Sequence, residues 1–211
     1  MISQPRPPHA GLRPAVFLDK DGTLIDDVPY NVDPARIRLT RGARDGVHAL
    51  RDAGYALVVA SNQSGVARGL FTQRDLAGVR LRIEELLGLR FDGFYCCPHL
   101  PAGAVAEYAI ACGCRKPEPG LLTRAAHELG LDLARSWMVG DILGDIEAGR
   151  RAGCRTVLLH PDGDLRHLSR EHDCVPTLIS PDLADAARRI LAAARPAEKS
   201  AAHASPPPPR P

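Results

Sequence analysis

Ala15-Val16-Phe17-Leu18-Asp19-Lys20-Asp21-Gly22-Thr23 is the stretch on which the fold turns. Four apolar residues in succession, without polar alternation, read as a strand covered on both faces. The run then breaks into two carboxylates, a lysine and a Gly-Thr turn. Outward from it, residues 56–60, 137–139 and 156–159 repeat the short apolar run, and residues 91–96 supply a further strand-sized segment. Between these runs the period changes. Leu76, Val79, Ile83, Leu86 and Leu87 recur at helical spacing behind a Thr72/Asp75 capping box, and Leu121, Leu122, Ala125, Ala126 and Leu129 lead to a stop at Gly130. A last helix is predicted from Pro181, with Ser180 as its N-cap, through Leu183, Ala187, Ile190 and Leu191. Strands alternating with helices predict an α/β, Rossmann-like fold: a parallel sheet flanked by helices.

The chain has 211 residues, enough for one principal domain with a full core. Residues 14–195 are expected to form it. The Pro-containing residues 1–13 and the Ala/Pro-rich residues 196–211, with their Pro206 to Pro209 run, are expected to be disordered tails. A net charge of +2 without any long Lys/Arg block excludes a composition built for nucleic acid or an anionic membrane and leaves a small molecule as the expected partner. No run of eighteen apolar residues occurs and no signal-type apolar segment opens the chain, so a cytoplasmic protein, acting as a monomer, is expected.

Three apolar runs stop at chemically capable residues: Leu18 gives way to Asp19, Ala60 to Ser61, and Val139-Gly140 to Asp141. Ligands of open α/β sheets collect at the carboxyl ends of strands, so these residues are expected to converge on one crevice. Asp19, Asp21 and Asp141 would form an acidic cluster, and clustered carboxylates with an all-oxygen shell suit magnesium. Ser61 and Asn62 offer a hydroxyl and an amide as donors, and Lys116 offers a point charge, so the crevice fits a phosphoryl group.

Cys97-Pro98-His99 is followed, twelve residues on, by Cys112-Gly113-Cys114. Three thiolates and an imidazole favour tetrahedral zinc, and four protein ligands leave no open position, so the ion would be a structural staple of the loop 97–114. Successive strand side chains point oppositely, so Cys96 and Cys97 cannot both face it; the C-x-H spacing favours Cys97. Cys154 and Cys174 read as buried thiols. Because Arg115 and Lys116 follow Cys114 directly, fixing that ligand would fix the backbone that presents both cations.

The chain resembles the phosphatases of the haloacid-dehalogenase (HAD) superfamily through Asp19-x-Asp21-Gly22-Thr23, Ser61-Asn62, Lys116 and Gly140-Asp141-x-x-x-Asp145. The resemblance implies Asp19 as nucleophile, Asp21 as general acid and then base, and magnesium held by Asp19, the Asp21 carbonyl and Asp141, with Asp145 in support. Within the superfamily, the zinc loop, residues 61–69 and Cys114-Arg115-Lys116-Pro117 are similar to the heptose-bisphosphate phosphatase family, which implies a small phosphorylated sugar, a heptose 1,7-bisphosphate, attacked at its C7 phosphate. Asp27, Tyr30, Asn62, Gln63, Ser64 and Arg115 would then contact substrate, Lys116 taking the transferred phosphoryl group and Arg115 the remote phosphate. The chain departs from that family at Ile142, where lysine is usual. A histidinol-phosphate phosphatase, which shares the zinc staple, is the alternative enzyme, and a zinc-stapled phosphate-binding module the alternative of another class. No insertion between Ser61 and Lys116 is long enough for a large cap domain, so specificity would rest on residues 26–39, 64–71 and the zinc loop.

Overall fold

Asp19 stands where it does because of how the strands are ordered. The computed structural model describes residues 11–161 and 174–194. Its elements run β1 (Ala15–Leu18), α1 (Ala43–Asp52), β2 (Ala56–Asn62), α2 (Asp75–Leu87), β3 (Gly93–Cys97), α3 (Gly120–Leu129), β4 (Trp137–Gly140), α4 (Leu143–Arg151), β5 (Arg155–Leu159), β6 (Leu178–Ser180) and α5 (Leu183–Ala194). The strands form one parallel sheet in the order β3-β2-β1-β4-β5-β6. From β1 the chain builds outward through β2 and β3, then returns to lay β4 on the other side of β1. That reversal opens a crevice beyond the carboxyl ends of β1 and β4. In register, Leu18 lies beside Val139, so Asp19 and Asp141 emerge together.

Strand residues alternate between two buried layers, as a sheet covered on both faces requires. Val16, Leu18, Leu57, Val59, Trp137 and Val139 pack with Val47, Leu50, Ile83, Leu183 and Ile190 of α1, α2 and α5. Ala15, Phe17, Ala56, Val58, Ala60 and Met138 pack with Leu121, Leu122 and Ala125 of α3. Helix α4 closes on the sheet through Gly149, where a Cβ would come 2.6 Å from Met138 Cβ. Any side chain there would push the helix, and with it the residues of its first turn, off the sheet.

The predicted strands are all present, with β2 reaching Asn62 and β3 beginning at Gly93. Of the predicted capping box only half forms: the Asp75 carboxylate accepts from the Thr72 amide at 2.7 Å and the Thr72 hydroxyl at 2.8 Å, but the Asp75 amide bonds the Thr72 carbonyl and not its hydroxyl. Ser180 does not cap the last helix: it ends the three-residue strand β6, and Asp182 Oδ1 accepts the Asp185 amide instead at 2.9 Å. A three-residue strand is too short to show a period, so β6 had no signature. The fold also begins before residue 14. Arg13 pairs with Leu131 as an isolated bridge, and its guanidinium bonds Tyr55 O and Asp92, so it belongs to the folded unit and not to a tail. The tail regions 1–10 and 196–211 lie outside the described residues. Between β2 and α3 stand only α2, β3 and the Cys-rich loop, with no room for a large cap.

Candidate active site

The turn after β1 is built by hydrogen bonds from Leu24 and Ile25 amides to Lys20 O, and from the Gly22 amide to Ile25 O. Gly22 has φ +72. A Cβ on it would stand 2.1 Å from Asp141 Oδ2, so only glycine lets this turn lie against the Asp141 carboxylate.

Asp19, Asp141 and Asp145 bring one carboxylate oxygen each to within 4.8 Å of one another. Lys116 Nζ lies 2.6 Å from Asp19 Oδ1 and 2.8 Å from Ala60 O, with both hydrogen bonds buried. It also lies 2.6 Å from Asp145 Oδ1, an ion pair outside hydrogen-bond alignment. Burial pushes the Asp141 carboxyl up to about 7, with Asp19 and Asp145 adding repulsion. Burial likewise pushes Asp145 up to about 6, against the pull of Lys116. For Lys116, burial works against the charge, but Asp19 and Asp145 prevail and its pKa is raised. Three clustered carboxylates with one ammonium leave negative charge uncompensated, and an oxygen-only donor set of this kind fits a hard divalent cation.

The predicted Asp21 carboxylate is not in that cluster; Asp145 takes its place. Asp21 Oδ1 accepts from Lys20 Nζ at 2.5 Å and Oδ2 from Gln63 Nε2 at 3.0 Å, which turns the carboxylate toward the neighbouring cleft. Gln63 Nε2 also donates to Ser61 Oγ at 2.9 Å. Asn62 differs from expectation too. Its amide does not stand free for phosphate: Nδ2 donates to Lys116 O at 2.9 Å and Oδ1 accepts the Lys116 amide at 3.0 Å.

The cleft, about 240 Å³, is lined by Lys20, Asp21, Asp27, Tyr30, Asn62, Gln63, Ser64 and Phe71 among others. Five of the six predicted substrate contacts are therefore brought together. Arg115 is the exception: its Nη1 donates to His99 O at 3.4 Å, and it is not among the lining residues. Two residues went unmarked in the sequence. Lys20 is buried to 2% exposure and anchors Asp21. The only trace of it was its position between two aspartates, which a solvated turn lysine would share. Arg68 lies with its guanidinium carbon 5.8 Å from the ring centroid of Tyr30.

Cys97, His99, Cys112 and Cys114 converge as predicted. Their sulfurs are 3.2 to 3.6 Å apart, and His99 Nδ1 lies 3.3 Å from Cys114 Sγ and 3.7 Å from Cys97 Sγ. A tetrahedron with Zn–S bonds of about 2.3 Å has S···S edges of about 3.8 Å, so a modest outward relaxation accommodates zinc. Cys96 faces the other way, packed against the cluster of Val66, Phe71 and Leu76. Burial raises the Cys97 thiol pKa, so unmetallated it would stay protonated.

A polar cleft at the switch point of this sheet, beside three carboxylates and a buried lysine, is the site of a hydrolase of the HAD type. The HAD-hydrolase-like family model matches residues 113–186. D-glycero-β-D-manno-heptose-1,7-bisphosphate 7-phosphatase of Yersinia pestis is 38% identical over 182 residues, 85% of this chain and 96% of its own length. The enzyme of that name from Escherichia coli K12 is 37% identical over 188 residues, 88% of this chain and 97% of its own. The solved D,D-heptose 1,7-bisphosphate phosphatase of B. bronchiseptica, complexed with magnesium and phosphate, superposes with a TM-score of 0.72 at 29% identity, covering 87% of this chain and all of that one. The chain belongs to the HAD-like family that these heptose-bisphosphate phosphatases represent.

Proposed function

We propose that the protein is a magnesium-dependent phosphatase that removes the C7 phosphate of D-glycero-β-D-manno-heptose 1,7-bisphosphate through an aspartyl-phosphate on Asp19. The observation that carries this reading is the division of labour around the β1 turn. Asp19 is drawn into the carboxylate–Lys116 cluster, while Asp21, two residues on, is turned away from it into the cleft.

An Asp19 oxygen attacks phosphorus as the bond to the sugar oxygen breaks, and Asp21, as the general acid, passes a proton to the departing alcohol. Asp21, now a carboxylate, takes a proton from the water that attacks the aspartyl-phosphate, and inorganic phosphate leaves with Asp19 restored. Lys116 places its ammonium beside Asp19 and the phosphoryl oxygens, with Asp145 holding it from behind. Ser61 Oγ accepts from Gln63 and keeps its own proton to donate to the phosphoryl group. Asp19, the Asp21 carbonyl and Asp141 would hold magnesium, which supplies neutralisation of phosphoryl charge. Cys97, His99, Cys112 and Cys114 would hold structural zinc.

Asp27, Tyr30, Gln63 and Ser64 line the cleft where the sugar would lie, and Arg115 stands at the zinc-loop side as a cation for the remote phosphate. Asn62 serves substrate indirectly by fixing Lys116. The heptose assignment rests on the activity of relatives that this chain matches over nearly their whole length. We read residues 14–195, with Arg13, as the phosphatase domain, working as a monomer on a small phosphorylated sugar without nucleic acid or membrane. A cytoplasmic site accords with the free thiols of all six cysteines, which a zinc-binding set needs kept reduced.

Phosphate release from heptose 1,7-bisphosphate, histidinol phosphate and simple sugar phosphates, with magnesium present, tests the reading. The bisphosphate is expected to have the highest kcat/KM, and Asp19→Asn to abolish release from every substrate. Preferred turnover of histidinol phosphate would overturn the substrate, and release surviving in Asp19→Asn would overturn the chemistry.

A further inference from the structure

We infer that Arg68 is a specificity-determining residue that binds the non-reacting phosphate of the substrate, with Tyr30 as the platform that orients it. The inference rests on the bisphosphate reading above. A second phosphate brings up to about two negative charges that are not consumed in the reaction and need a cation at the mouth of the cleft. Two of the cations nearest the reaction are already engaged: Lys116 is held between Asp19 and Asp145, and Lys20 is held on Asp21. Arg115, which approaches the remote phosphate from the zinc-loop side, spends one N–H on the His99 carbonyl, and a phosphate with three oxygens leaves room for a second cation beside it. Arg68 is exposed and has no carboxylate partner among the described residues; its guanidinium carbon lies over the ring of Tyr30, a residue that lines the cleft, 5.8 Å from the centroid. A cation–π attraction at this range draws the guanidinium toward the ring and leaves its N–H edge free, which is the group that grips phosphate with two parallel hydrogen bonds.

The backbones of both residues are constrained. Tyr30 is the one described non-glycine residue with positive φ, at 55°, a conformation that persists only where surroundings impose it. Arg68 sits in the tight turn after β2, where its amide bonds Ser64 O at 3.0 Å and Gly69 turns through φ +73. The zinc loop ties down the same turn, with the Val105 amide donating to Ala67 O at 2.9 Å. A cation is thus fixed at its root by the loop and drawn at its tip toward the Tyr30 ring, one side chain away from the cleft.

The test compares kcat/KM for heptose 1,7-bisphosphate and heptose 7-phosphate in the wild-type enzyme, Arg68→Ala, Arg68→Lys and Tyr30→Ala. In Arg68→Ala the bisphosphate-to-monophosphate ratio is expected to fall about ten- to a hundredfold, the loss of one to two charge-assisted hydrogen bonds, mainly through KM. Arg68→Lys should recover part of the ratio, and Tyr30→Ala should lower it less than Arg68→Ala. If alanine lowers the Tm, Arg68→Gln, which keeps length and polarity without charge, takes its place. A wild-type enzyme without preference for the bisphosphate would overturn the proposed substrate. A preferring wild type with the ratio intact in Arg68→Ala, or with both substrates reduced equally, would overturn the role of Arg68 alone.

Discussion

The side chain of Asn62 makes two hydrogen bonds with the main chain of Lys116, one in each direction, across 54 residues of sequence. A side-chain amide donates from one atom and accepts on another, as a peptide group does, so it can splice the end of β2 to a loop where no strand pairing exists. Lys116 therefore enters the site from a backbone that is fixed on one side by Asn62 and on the other by the adjoining ligand Cys114.

Asn62→Ala is expected to lower kcat by at least about tenfold while changing KM little, because it displaces the ammonium and removes no substrate contact. The two hydrogen bonds together contribute about 2 kcal/mol, which denaturant unfolding would register. Asn62→Asp should be worse, since it faces the Lys116 carbonyl with a second acceptor. An effect confined to KM would show that Asn62 binds substrate directly.

Lys116→Met removes the single cation from among Asp19, Asp141 and Asp145. Leaving buried carboxylates unpaired costs about 3–5 kcal/mol, so the magnesium-free variant should be markedly less stable than the wild type. Magnesium should recover part of that loss. Activity should not return with it, because the phosphoryl group also loses a preorganised charge, worth about a hundredfold or more in kcat. Full activity in magnesium-saturated Lys116→Met would remove the lysine from the reaction.

Much of this site was readable in the chain because parallel strands buried on both faces announce themselves as unbroken apolar runs, and their polar terminators are the chemistry. Asp19, Ser61 and Asp141 were found in that way, and the paired Cys/His spacing marked all four members of the second cluster. Side-chain direction was not readable. Asp21 lies two residues from Asp19 and shares its chemistry, yet one carboxylate faces the cluster and the other the cleft. That choice is made by a lysine and a glutamine whose contacts appear only once β1 and β2 are side by side. The main-chain hydrogen bonds of Asn62 and Arg115 were hidden for the same reason. Strand β6 and the Asp182 cap fell below the length over which a period can be seen.

Asp141 ties stability to pH. Its folded carboxyl is raised to about 7, from about 3.9 in an unfolded chain. The folded state therefore holds this proton more tightly than the unfolded one, and stability without magnesium should fall as pH rises from about 4 through 7. Magnesium favours the ionised form, so its stabilising effect should grow over the same interval. Thermal unfolding at pH 5 and pH 8, with and without magnesium, is expected to show the larger magnesium-induced rise in Tm at pH 8. A larger rise at pH 5 would contradict the placing of Asp141 against the ion.

Arg115→Ala should also reduce the preference for a bisphosphate over a monophosphate, because it removes a guanidinium that is held near the cleft by a single hydrogen bond to the His99 carbonyl and is free to turn to the substrate. Its effect is expected in the ratio of the two kcat/KM values. An unchanged ratio would leave Arg115 as a brace of the zinc loop only.

Zinc removal offers the sharpest separation of frame from chemistry. The four ligands span β3, the loop after it and the segment leading to Lys116, and the loop between them reaches back to bond Ala67 in the turn after β2. Without an ion, three thiols in contact have no reason to stay together, and burial holds Cys97 protonated. Cys112→Ser, or chelation with magnesium replenished afterwards, should therefore loosen both the Lys116 backbone and the substrate-facing turn. The expected outcome is a fall of several degrees in Tm together with a loss of kcat and a rise in KM, while magnesium affinity changes little because Asp19 and Asp141 hang from β1 and β4. Undiminished turnover by protein shown to contain no zinc would mean that the loop holds its shape without the metal, and that Asn62 with the partners of the Lys116 ammonium suffices to position it.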